Sequence, residues 1–157
     1  MESQIETYTL TDLTSIPEPQ IPSLCEVWNW QGDTSWTEVL NATAGQEEAY
    51  DTKYLKANYI SSSKFNPDAF FFLTYRSHAI GLCLAWPAAE NEFEIKHLTS
   101  VPSHRNKGVE EALISLVLGY IKEQGGTKVV VKLDEPKLKD FQKSVIVPIL
   151  GKFGFSN

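Results

Sequence analysis

The stretch Leu98–Leu113, LTSVPSHRNKGVEEAL, holds the residue types in this chain best suited to chemistry. A strand runs out into a short polar loop containing Arg105, Asn106, Lys107 and Gly108, and an amphipathic helix starts directly after it. The first N–H groups of a helix have no intrahelical partner, and the helix dipole places partial positive charge at the same end. Such a start is an anion site. Arg105 and Lys107 add full charges, and Gly108 lets the backbone approach a ligand closely. The ligand this chemistry suits is a pyrophosphate. The order Gly-x-x-x-x-Gly-Lys-Ser/Thr is absent, and one glycine does not make the dinucleotide fingerprint. A solvated loop ahead of an ordinary surface helix is the competing reading, and the local chemistry leaves the two open.

Elsewhere reactive residue types are sparse. Cys25 and Cys83 are too far apart in sequence for a metal-binding pair or a disulfide framework. No histidine pair has metal spacing. Cys83 lies in an apolar run and reads as packing. His78 reads as a turn residue. Tyr120 falls on the apolar face of the helix and reads as core. Trp28, Trp30 and Trp36 form an aromatic group for which core packing is the plainer use.

The elements that must position these residues are legible in outline. Ile5–Leu10 alternates and reads as an edge or opening strand. Prolines at 17, 19 and 22 break any helix after it, and Leu24–Trp30 reads as a short helical piece. Ser35 with Glu38 makes a capping box for a helix carrying Trp36, Val39 and Leu40. Asp51–Ile60 is a weak helix and Ser61–Asp68 a loop. Ala69–Tyr75 and His78–Trp86 form a hairpin about Arg76–Ser77. After the acidic turn Pro87–Glu92, Phe93–Val101 adds a third strand. Gly108–Glu123 is the clearest helix, with Val109, Ala112, Leu113, Leu116, Val117 and Tyr120 at helical spacing. Gly125–Gly126 ends it. Thr127–Leu133 is a β-branched strand, Glu135–Lys143 a charged stretch, and Val145–Phe153 an apolar one interrupted by Pro148.

The chain has 157 residues, 42% of them apolar and 22% charged, enough for one domain with a real core. Fourteen Lys and Arg against twenty Asp and Glu give a net charge of -6, which argues against a nucleic-acid-binding surface. MESQIETYTL lacks the apolar segment of a signal peptide, and no run is long and apolar enough for a membrane span. These features read as a soluble cytoplasmic protein.

With the elements in this order, residues 69–157 resemble the coenzyme A-binding core of the GCN5-related N-acetyltransferase (GNAT) superfamily. The resemblance rests on the hairpin, the strand ending near Leu98–Val101, the loop and helix, the following strand, and Gly154–Phe155 after the last helix. The family signature of Gln or Arg, two residues, Gly, one residue, then Gly or Ala reads here from Arg105 to Glu110, with Arg105 and Gly108 kept and Glu110 in place of the last small residue. Leu98 and Pro102 also fall where the family often has leucine and proline. The stretch WTEVLNATAG resembles the helix of some mycothiol-synthase-like members.

The resemblance implies an α/β (α+β) fold with a mixed, mainly antiparallel sheet and helices on both faces. It implies a single GNAT-like domain, with 1–68 on the acceptor side and 69–157 as the coenzyme core. The implied cofactor is acetyl-CoA and the implied partner a small-molecule or peptide amine, without nucleic acid or membrane. Leu98, Thr99 and Ser100 would meet the pantetheine arm. His104, Arg105, Asn106 and Lys107, followed by Gly108, Val109 and Glu110, would form the coenzyme loop. Glu94 is the first expectation for a general base, on the same face as Leu98 in a regular strand. Glu92 and His97 come next, His97 needing a bulge to reach that face.

The chain departs from the family pattern in three places. Glu110 brings a side chain and a negative charge where a small residue is usual, near the phosphate loop. Leu150 occupies the position of the family's frequent general acid, a tyrosine. Only two residues follow Phe155, so the usual last strand is missing, replaced, or supplied by a second copy in a homodimer. A non-catalytic acyl-CoA-binding or regulatory module with this fold is the alternative reading.

Overall fold

The computed structural model describes residues 6–30, 39, 52–133 and 139–157. The helix expected from Ser35, including Trp36 and Leu40, lies outside the described residues except for Val39, which is helical and buried.

Among the described residues, six strands form one sheet. They are β1 (Thr7–Leu10), β2 (Cys25–Trp28), β3 (Phe70–Tyr75), β4 (His78–Ala89), β5 (Glu92–Ser100) and β6 (Lys128–Lys132). Their order across the sheet is β1-β6-β5-β4-β3-β2, with only the β5–β6 pair parallel. Helix α1 (Thr52–Leu55) widens into a π-turn at Lys56–Ile60, and α2 spans Val109–Glu123. The C-terminal helix comprises α3 (Lys139–Phe141), a second π-turn (Gln142–Ile146) and α4 (Val147–Lys152).

The alternating β3 and β4 side chains build two cores. Phe71, Leu73, Ile80 and Cys83 pack with α2 and the C-terminal helix on one face. Phe70, Phe72, Leu82 and Leu84 pack with Leu55 and Tyr59 on the other. The β3–β4 hairpin closes through Arg76 and Ser77, both at positive φ, as the right-handed twist of paired strands requires. Gly81 of β4 lets α2 settle on the sheet: a Cβ there would stand 2.6 Å from Val109 Cγ1.

Three sequence expectations change. Leu24–Trp30 is not helical: Leu24 adopts positive φ, and Cys25–Trp28 pairs with Trp28↔Phe72 through Cys25↔Tyr75 as an edge strand. A free sheet edge outweighs the weak helical propensity of so short a segment. Glu90 and Asn91, rather than the whole of Pro87–Glu92, turn the chain between β4 and β5, because β4 continues to Ala89. The outer edge of β6, for which the sequence left a last strand missing, replaced or supplied by a second copy, is covered by β1, with Thr7↔Lys132 through Leu10↔Val129 in register. Ser156 then bridges Thr9 from the far side. The reason for expecting a second copy at that edge falls away.

Candidate active site

The cleft opens where β5 and β6 separate. Their parallel pairing covers only Glu92↔Lys128, Phe93↔Val129 and Glu94↔Val130. Beyond Glu94 the β5 edge has no ladder partner on β6, and a cavity of about 170 Å³ lies between the strands. Its walls come from Ile95 to Leu98 on β5, Val131 and Lys132 on β6, Tyr54 and Tyr59 on one face, and Gln142 and Ile146 on the other. An open strand edge inside a cleft can hydrogen-bond an extended ligand such as a pantetheine arm.

The β4–β5 register slips between Leu82↔Thr99 and Leu84↔Lys96, a bulge in which His97 takes φ 56°. The bulge turns His97 onto the Tyr59 face, where its Nε2 lies 2.8 Å from Tyr59 Oη and 3.4 Å from Tyr54 Oη. It also breaks the expected alternation. Leu98 packs with the α2-side core, whereas Glu94 pairs opposite Trp86 on the other face. Glu94 and Leu98 therefore do not share a face.

Glu94 is buried, with Lys96 Nζ 3.5 Å from one carboxylate oxygen and Lys132 Nζ 3.8 Å from the other. Glu92 lies at the closed part of the strand pair, 3.5 Å from Lys128. Of the three expected bases, Glu94 and His97 reach the cleft and Glu92 is not among its walls.

The loop expected to hold coenzyme follows β5. Val101 N–H bonds Ile80 O, a 3₁₀ turn spans Pro102–His104, and Asn106 and Gly108 take positive φ to deliver the chain into α2. The first bond of α2 runs from Ala112 N–H to Gly108 O, leaving the preceding amides without intrahelical partners. Lys107 is exposed, with Nζ donating to Ser103 O at 2.9 Å. His104 lies 5.3 Å from the Tyr75 ring and shares a hydrogen bond with Ser103.

Arg105 and Glu110 turn away from the loop surface. Glu110 is fully buried and accepts from Ser100 Oγ at 2.6 Å, so its side chain does not project to the surface of the loop. Arg105 Nε donates to Ser100 O at 3.1 Å, and its guanidinium stacks 4.2 Å from the Phe141 ring centroid. Burial pushes the guanidinium pKa down while the Glu110 carboxylate opposes that shift. Arg105 thus holds the loop from beneath. Thr99 is buried with no hydrogen bond to Oγ1 among the described residues, and Val109 packs under Gly81.

Other candidates take structural places. Leu150 and Cys83 are sealed in the core. Trp30 stacks edge-on to Phe65 and Phe70, and Trp28 borders the same cluster. Tyr120 is only partly buried and accepts from Asn66 Nδ2 at 3.0 Å, at the rim of a surface groove rather than inside the core. Sequence reasoning missed Tyr54 and Tyr59. They are five residues apart, a spacing that one face of an α-helix does not match but a π-turn does.

The family model described as Acetyltransferase (GNAT) family matches residues 33–142. A comparison with curated proteins gives no match. Among solved structures, a GCN5-related N-acetyltransferase from Sphaerobacter thermophilus aligns with TM-score 0.68 and 15% identity, over 82% of this chain and 41% of that one. One from Kribbella flavida gives TM-score 0.63 and 16% identity, over 98% of this chain and 54% of that one. The ribosomal-protein-S18-alanine N-acetyltransferase from Escherichia coli gives 0.63 and 10%, over 84% and 77% respectively. This chain therefore spans about half the length of the first two, and at these identities the likeness is one of fold. No helix among the described residues is long and apolar enough to cross a membrane.

Proposed function

The chain belongs to the GNAT acetyltransferase family, and from that premise we propose that it transfers the acetyl group of acetyl-CoA to an amine. The observation that carries the reading is the parting of β5 from β6 after Glu94 and Val130, on the strand that leads into the α2 anion site. Acetyl-CoA supplies an activated thioester. The amides at the start of α2 would receive its pyrophosphate, and the open β5 edge from Ile95 to Ser100 its pantetheine arm. A backbone N–H near Leu98 would polarise the thioester carbonyl.

His97 is the group we place as general base. It projects from the bulge into the cleft, while Glu94 is engaged by two ammonium groups and Glu92 by Lys128. The Tyr54 and Tyr59 hydroxyls converge on His97 Nε2 and complete a path of exchangeable protons that serves the departing thiolate. This relay joins 1–68, which contributes the tyrosines on the acceptor side, to the coenzyme core of 69–157. Free Cys25 and Cys83 suit the reducing cytoplasm, where we place the protein.

Calorimetric titration with acetyl-CoA, and with coenzyme A alone, tests the reading. Saturable binding, weakened by Gly108→Val, supports it. Release of coenzyme A thiol when amines are added separates a transferase from a binding module. Absence of binding at millimolar acetyl-CoA overturns it.

A further inference from the structure

We propose that the acceptor is an α-amino acid, whose carboxylate is held by Lys96 and Lys132 at the cleft. The inference rests on the acetyltransferase reading and deepens it. Three charged groups meet where the strands part. The Glu94 carboxylate is buried, Lys96 approaches one of its oxygens from β5, and Lys132 approaches the other from the end of β6. Both lysines line the cavity and keep side-chain exposure, 29% for Lys96 and 46% for Lys132.

An ammonium carries three donors. One carboxylate satisfies neither lysine fully, and it leaves one positive charge in excess among these groups. Further into the zipped part of the same strand pair, Lys128 is matched one-to-one by Glu92. Among the described residues the excess is therefore local to the cleft. A simple cationic amine meets repulsion there. An α-amino acid brings no net charge, its carboxylate can bridge the two ammonium groups, and its amino group is then only a few bonds away. The same positive charges favour loss of the proton from that amino group. The bulge places His97 immediately after Lys96 and on the same side of the sheet, where it can take that proton.

The step balances without another reactant. The nitrogen lone pair attacks the thioester carbonyl carbon, an N–C bond forms, and the C–S bond breaks with its electron pair going to sulfur. Of the two protons the ammonium nitrogen loses, one ends on the thiolate and one goes to solvent. The products are an N-acetyl amino acid and coenzyme A.

The test measures coenzyme A release with the common L-amino acids and with their decarboxylated counterparts, such as phenylalanine against phenethylamine and leucine against isoamylamine. We expect kcat/KM to favour the amino acid by about tenfold or more, as charge-assisted contacts to two ammonium groups would give. Lys96→Gln and Lys132→Gln should each shrink that ratio through KM while leaving the acetyl-CoA Kd in place. Equal turnover with and without the carboxylate overturns the acceptor class alone. So does turnover of no amino acid by a chain that binds acetyl-CoA. Failure to bind acetyl-CoA overturns the reading beneath it.

Discussion

Tyr59 Oη lies 2.8 Å from His97 Nε2, and each residue owes its place to a local departure from regular backbone. A π-turn carries Tyr59 and a strand bulge carries His97. If the pair moves protons, His97→Gln lowers kcat by about 10²–10⁴-fold, with a smaller loss for Tyr59→Phe. Acetyl-CoA affinity should hold in both. Steady-state kinetics beside calorimetry checks this, and a loss confined to Kd would remove His97 from the proton path.

Glu110 anchors the loop between β5 and α2 from inside. Its carboxyl accepts from Ser100 Oγ, and the Ser100 carbonyl accepts from Arg105, so a strand end, a loop and a helix start share one polar knot. Glu110→Ala should cost about 1–3 kcal/mol, because it leaves the buried Ser100 hydroxyl without its acceptor. Ser100→Ala should cost about 1–2 kcal/mol. Urea unfolding measures both, and a neutral Glu110→Ala would show that the knot contributes nothing.

Gly81 sets how closely α2 lies on the sheet. With Val109 Cγ1 at 2.6 Å and Leu113 Cδ1 at 3.0 Å from a built Cβ, Gly81→Ala must shift the Val109 side chain or the helix start that carries it. The expected cost is about 1–3 kcal/mol. Since α2 begins at the loop proposed to receive the pyrophosphate, acetyl-CoA binding should weaken alongside the thermal midpoint.

The thiols predict a pH response. Burial pushes the Cys83 and Cys25 pKa values up, and burial followed by the charge of Asp68 raises that of Tyr120. A folded state that keeps protons the unfolded chain releases has its full stability below the ordinary thiol range. It loses stability as pH rises through and beyond that range. Urea midpoints should therefore be lower near about pH 10 than near about pH 7. Cys83 should resist thiol reagents until unfolding, whereas Cys25, partly exposed, reacts slowly in the native protein.

Local chemistry made part of this structure readable. The Arg76–Ser77 hairpin, the apolar stripe of α2 and the loop ending at Gly108 follow from turn preference and helical spacing, which act over a few residues. What escaped depends on distant partners. Cys25–Trp28 is a strand because β3 offers it an edge. Arg105 looks like a phosphate ligand in sequence, yet Ser100 and Phe141 draw it inward. Glu110 looks like an obstacle to coenzyme until Ser100 draws its carboxyl group inward. The bulge at His97 and the π-turn at Tyr59 leave no periodic trace, since each inserts one residue into an otherwise regular count.

The pairing of β1 with β6 sets the timing of assembly. Thr7–Leu10 meets Val129–Lys132 on the order of 120 positions away in sequence, a separation that makes contact formation slow relative to the local hairpin. The part of β6 that borders the cleft, Val131 and Lys132, has left β5 and, among the described residues, keeps only β1 as its strand partner. During synthesis, the β3–β5 meander and α2 can fold while that wall is still unfixed. Ligand-binding competence should emerge as the final event of folding, after most of the secondary structure has formed.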